Sequence, residues 1–178
     1  KAMTRQEKLI YIDGFMRKPL DLKTRKKLGE SIKEFDQILE KCPDHWQSMF
    51  GKAKALQRIG EHSKALEVLE TALNIETSNH SLALEASVEA VNLRDLDKAL
   101  LYSEEAIKRA PDDFALLGNY ALNLLVAGRN QEAKEQIDKA MIINKHDNIN
   151  QNISAIVNGV IKDNKRSPTF DELFKYGS

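Results

Sequence analysis

The chain has 178 residues, in which 27 lysines and arginines balance 27 aspartates and glutamates, so no global field draws it to nucleic acid or to an anionic membrane. Eight glycines, four prolines and 6% aromatic residues, in a chain rich in Ala, Leu, Glu and Lys, favour helix over sheet and suit one ordinary domain with a sizeable core. The lone cysteine, Cys42, excludes a disulfide within the chain and is expected, beside Pro43, to be a reduced, buried thiol.

At the start, KAMTRQEKLIYIDGFM has no sustained apolar stretch before a small-residue cleavage site, so no secretory leader is expected within it, and a cytoplasmic location is the default. Thr4 and Glu7 have capping-box spacing and predict a helix over residues 4–17, although Asp13-Gly14 equally suits a turn and Pro19 ends whatever precedes it. The basic cluster RKPLDLKTRKK, with Lys23, Lys26 and Lys27 on one helical face, lacks aromatic residues for base stacking and reads as a solvated face.

From Trp46 onward the chain repeats itself. Gly60, Arg94 and Gly128 recur at a spacing of 34 residues, as do Ala65, Ala99 and Ala133, then Ala72, Ala106 and Ala140. Each block predicts two helices. The first starts after a polar cap (Asp44, Ser78-Asn79, Asp112-Asp113) and closes at a glycine, which takes the left-handed backbone at little cost. Arg94 stands where that glycine belongs, so the middle turn is either strained or built differently. The second helix carries the alanines, which let neighbours approach closely while Leu66, Leu69 and Leu73 pack beside them.

These columns resemble the tetratricopeptide repeat family, whose pattern has the same length, small residues at these places and a closing proline. The resemblance covers full repeats at 46–79, 80–113 and 114–147, with residues 28–45 similar to the second helix of an earlier repeat and 148–162 to a following first helix. It implies an all-α fold: a right-handed superhelical α-solenoid of helix-turn-helix repeats over 28–162. An N-terminal helical extension over 1–27 precedes it, and a linker and short amphipathic capping helix over 163–178 follow. Two columns depart from the family pattern, with Lys52 in place of a large apolar residue and Ser103 in place of an aromatic one.

The same resemblance implies a concave surface lined by first helices. At i, i+3, i+4 spacing the lining stripe holds Phe50 and Lys54, then Leu84, Val88 and Val91, then Leu122 and Leu125 with Val126 at its edge, and finally Asn152 and Ile156; Asn119 joins the rim. The segment FALLGNYALNLLVAG, Phe114 to Gly128, is uncharged throughout, so one side is expected to build the stack and the other to line an apolar trough. Such a trough fits an amphipathic helix of roughly 20 residues or an extended peptide of roughly nine. The expected function is a non-enzymatic protein–protein interaction scaffold or adaptor that holds a partner protein's helix or peptide. The alternative is a self-assembly module, a homo-oligomer, whose groove is filled by its own or a neighbour's terminal segment. In the tail, Thr169 and Glu172 have capping-box spacing, and Phe170, Leu173 and Phe174 share a face, suited to capping Ile153, Ile156 and Val157 or to folding back as a lid.

No catalytic, cofactor-binding or metal site is expected. His45, His80 and His146 lie on successive junctions, too far apart to share one ion, and no phosphate-cradling glycine loop is present. Lys54, Arg58 and Asn92 supply only part of the carboxylate clamp some family members carry, and Phe114 to Val126 adds no cation. No segment is long and apolar enough to span a membrane.

Overall fold

A computed structural model describes residues 20–175, with the side chains of Phe174 and Lys175 left aside; the helix expected over residues 4–17 lies outside the described residues. Nine helices and no strand are found among the described residues: α1 (Leu22–Lys41), α2 (Trp46–Arg58), α3 (His62–Ile75), α4 (His80–Asn92), α5 (Leu96–Arg109), α6 (Phe114–Val126), α7 (Asn130–Ile143), α8 (Asn148–Lys162) and α9 (Phe170–Lys175). Consecutive helices pack on one another from α1 to α8, and α6 also lies directly against α8, giving a solenoid of stacked helix pairs.

Local chemistry explains the boundaries. Asn79 and Asp113 side chains accept from the first-turn amides of α4 and α6, as their positions predict. At α2 the cap is His45, not Asp44: its Nδ1 accepts the Ser48 amide at 3.2 Å. The three first-to-second-helix turns share one geometry. Gly60 (φ 86°), Arg94 (φ 58°) and Gly128 (φ 76°) all sit in the left-handed region. In each turn the following amide reaches back to the preceding helix at 2.9 Å (Glu61 to Leu56, Asp95 to Ala90, Arg129 to Leu124). The middle turn is therefore built like its neighbours and carries the strain of a side chain where two others have glycine.

The alanine columns lie at the closest helix contacts: Ala65, Ala99, Ala133, Ala72, Ala106 and Ala140 are all buried. Ala72 and Ala106 pack with Met49, Leu66, Leu69 and Leu82; Ala133 and Ala140 with Leu117, Leu124, Ile137 and Val157; and Ala99 with Ala90 and Val91. The departures from the family pattern have local partners. Lys52 pairs with Asp36 of α1 at 2.5 Å, and Ser103 Oγ accepts from the buried Asn123 amide at 3.2 Å. Arg109 was not anticipated. Its guanidinium donates to the carbonyls of Leu73, Glu76 and Asn79 and so fixes the turn between α3 and α4.

Three further expectations are corrected. Cys42 is exposed, because it closes α1 at the open side of the turn rather than facing the stack. The first helix begins at Leu22 rather than near Leu28, running unbroken across the expected boundary between extension and repeats, since Asp21 caps it through the Thr24 amide at 2.7 Å. The tail helix α9 does not cap α8. Phe170 packs with Ala90, Val91 and Ala99, because the linker turns back along the edge formed by the first-to-second-helix turns.

Candidate interaction surface

The residues expected to line a groove lie on the first helices α2, α4, α6 and α8, and hydrogen bonds link these helices across repeats. Lys54 Nζ reaches Glu85 Oε1 at 2.8 Å, linking α2 to α4. Asn119 Nδ2 donates to Ser87 Oγ at 3.2 Å, linking α4 to α6. Phe50, Lys54, Leu84, Val88, Asn119, Asn152 and Ile156 are all half-buried, so each has surface to offer.

Leu122 and Leu125 do not. They are 3% and 0% exposed, inside the cluster formed by α6, α7 and α8. The expectation that they line an open trough is corrected, and Gly118 marks where α8 comes close to α6. A Cβ there would stand 2.0 Å from Asn150 Oδ1 and 3.3 Å from Ile153 Cδ1, so only glycine lets α8 settle this close to α6. Asn150 Nδ2 then donates to the Phe114 carbonyl at 2.9 Å and holds the two helices in register. The uncharged helix is covered from within.

A polar network between α2, α3 and α4 was also missed. Glu89 is 0% exposed, yet its carboxylate is well partnered: Gln57 Nε2 donates to Oε1 at 2.5 Å, and His62 Nδ1 meets Oε2 at 2.6 Å. Gln57 Nε2 also reaches Glu85 Oε2 at 3.1 Å, and Asn92 Nδ2 lies 3.4 Å from Glu89 Oε1. Lys54 and Asn92 thus both face acids of α4. A signal existed, because Glu89 shares a repeat column with Ala55, Asn123 and Val157, and a charge in that buried column demands internal partners. Among the described residues, no three His, Cys, Asp or Glu side chains are grouped to hold a metal ion, and no helix is long and apolar enough to cross a membrane.

Val91 and Val126 belong to a different part of the surface. Together with Ala90, Leu96 and Ala99 they form a socket that holds Phe170, which is 5% exposed. Arg94 donates through Nε and Nη2 to Asp171 Oδ1 at 2.9 and 2.8 Å, and Ser167 Oγ meets Asn130 Oδ1 at 3.0 Å. Within the tail, the Glu172 amide donates to Thr169 Oγ1 at 3.1 Å, the amide half of the anticipated capping box. The Arg166 guanidinium, bonded to Glu172 at 2.7 and 3.2 Å, holds that carboxyl below its usual range. Phe170 and Leu173 are both buried, and burial of each is worth about 1.5–3 kcal/mol.

Comparison with known proteins agrees with this architecture. The profile of the tetratricopeptide repeat family matches residues 21–80 and 84–145. A TPR repeat-containing protein of Pseudomonas aeruginosa is 36% identical over 84 residues, which is 46% of this chain and 14% of that protein. The chain thus spans about one-seventh of that relative's length. Among solved structures, MamA from Desulfovibrio magneticus RS-1 superposes with a TM-score of 0.70 at 16% identity, over 98% of this chain and 94% of that one. YrrB, described as a TPR protein with an unusual peptide-binding site, superposes with a TM-score of 0.69 at 16% identity, over 87% and 80%. Both likenesses are of fold.

Proposed function

The chain belongs to the tetratricopeptide repeat family, and on that premise we propose that it is a non-enzymatic scaffold that holds a partner's helix or peptide against its first helices. One observation carries the reading: Phe50, Leu84 and Val88 leave apolar surface beside the Lys54–Glu85 pair and Asn119, across α2, α4 and α6. Apolar side chains supply affinity there, and the flanking polar groups supply register. The peptide-binding site described for YrrB is consistent with this use of the fold. Because Leu122 and Leu125 are sealed inside, the surface is narrower than an apolar trough along all four first helices. It favours a short segment with two or three apolar anchors.

The test replaces two half-buried residues of this face and checks the fold alongside binding. Leu84→Asp with Val88→Asp should lower affinity for a captured partner by about 100-fold, the loss of two anchors worth about 1.5 kcal/mol each. Far-UV circular dichroism should stay unchanged. Undiminished binding by a folded double variant would remove this face from the reading. The alternative, a groove filled by the chain's own terminal segment, has one observation in its favour: Phe170 is seated on Val91 and Val126, two residues of the expected stripe.

A further inference from the structure

We propose that the socket under α9 is a second peptide-binding site, which accepts from a partner a short helical turn bearing an aromatic residue followed directly by an acidic one, and that the chain's own tail occupies it as a displaceable stand-in. This deepens the reading of the molecule as an interaction scaffold and rests on it.

Four observations converge. First, the socket is made by the solenoid alone: Ala90 and Val91 end α4, Leu96 and Ala99 open α5, and Val126 ends α6, so its walls do not depend on the tail. Second, it has matched chemistry, an apolar floor for the Phe170 ring with the Arg94 guanidinium beside it, binding Asp171 through two nitrogens. Third, Arg94 is strained. It holds φ 58° where the equivalent turns use glycine, and its Nη1 donates to the Asn92 carbonyl at 2.7 Å, which aims the guanidinium along the edge. A strained, non-glycine residue that presents a cation at an apolar socket suits recognition better than turn formation. Fourth, the occupant reaches the socket through an exposed linker and is seated without a covalent bond to it. Asp163 to Arg166, Thr169 and Asp171 are exposed, and the tail is joined to the solenoid through residues 163–169.

A tethered segment competes with an incoming one by reducing the fraction of molecules whose socket is open. The apparent affinity for a partner is then set by the tail as well as by the socket.

The experiment uses the full chain and a fluorescent peptide of the tail's sequence, KRSPTFDELFK, followed by anisotropy. Phe170→Ala in the chain unseats the tethered copy. The peptide should bind this variant about tenfold more tightly than the unaltered chain, because the competitor is gone. Adding Arg94→Glu should weaken binding by about tenfold, and a peptide carrying Lys at the Asp171 position should recover it, as a structural role for Arg94 would not allow. Equal affinity for both chains, or no binding to a variant with unchanged circular dichroism, would overturn the proposal. So would a mass that rises with concentration, which reassigns the socket to the tail of a second copy. If Phe170→Ala does not fold, amide exchange on the unaltered chain decides: excess peptide should deprotect residues 170–173, and unchanged protection refutes displacement. Leu84 and Val88 are not in the Phe170 cluster, so the Leu84→Asp, Val88→Asp double variant should still bind the tail peptide. Failure of the first surface therefore leaves this result standing.

Discussion

Gly118 shows how a single missing side chain redirects a surface. By helix propensity alone, Gly118→Ala should stabilise α6 by about 1 kcal/mol. The structure reverses the sign, because the new Cβ would stand 2.0 Å from the Asn150 amide oxygen. Asn150 is 1% exposed and holds the Phe114 carbonyl, so moving it strands a buried polar group at about 1–3 kcal/mol. Gly118→Ala should therefore lower stability, by up to about 2 kcal/mol, in urea unfolding. Gly159 in α8 is the control, since nothing lies within 4 Å of a Cβ built there. Gly159→Ala should stabilise by about 0.5–1 kcal/mol. Stabilisation by both changes would show that close approach at Gly118 is not what brings α8 onto α6. Glu89 makes a related point about buried charge. It sits among His62, Gln57 and Asn92, which come from other turns and helices, and so a charged residue occupies a column of Ala55, Asn123 and Val157 without being abandoned there.

Helices were the most legible feature of this chain. Caps at Asn79 and Asp113, glycines at 60 and 128, and paired alanines all act within a few residues of their own position, so spacing alone exposes them. The lining stripe was half legible. Phe50, Leu84 and Val88 remain half-buried, whereas Leu122 and Leu125 lie inside a cluster that α6 forms with α7 and α8, and the close approach of α8 to α6 involves Gly118 and Asn150 in different repeats. The tail was legible as a helix but not in its destination, since its sequence suits the end of α8 as well as the socket at Val91. Its Arg166–Glu172 pair gives it a pH dependence of predictable sign. The Glu172 carboxyl sits below its ordinary 4.5 in the docked state, chiefly through its hydrogen bond with Arg166. Its contribution is thus complete above that value and is lost as pH falls through the lower, docked value. Contacts between the Phe170 ring and the Val91 and Val126 methyls, followed by nuclear Overhauser effects, should weaken as the pH is lowered through the acid range below 4.5. Methyls of Leu124 and Leu125, deep in α6, should be unaffected over that range. Glu172→Gln should reproduce part of the weakening at neutral pH. A ring that stays seated at low pH would show that burial alone secures the tail.

Across the whole molecule, the two ends of the solenoid are secured differently. Each helix touches chiefly its sequence neighbours, so stability is a chain of local interfaces rather than one shared core. At one end of the described residues α1 has no buried residue and rests with half-buried Phe35 against Gly51 of α2 and Leu39 against the core. Toward the other end, α6 is buried along nearly its full length, and the tail crosses back from α8 to bind Asn130 beyond one turn and Arg94 in another. That crossing links elements which the linear stack would leave independent, and it makes unfolding asymmetric. Native-state amide exchange should show α1 opening alone, with its slowest amides exchanging at least about 100-fold faster than those of α6. Protection in α6, α7 and α8 should fall together when Phe170→Ala releases the tail, while α1 and α2 remain as they were. Uniform protection from α1 to α8 would mean that the stack unfolds as one unit. In that case, the release of the tail could not be confined to the end it ties, and a partner taking its place would be felt throughout the scaffold.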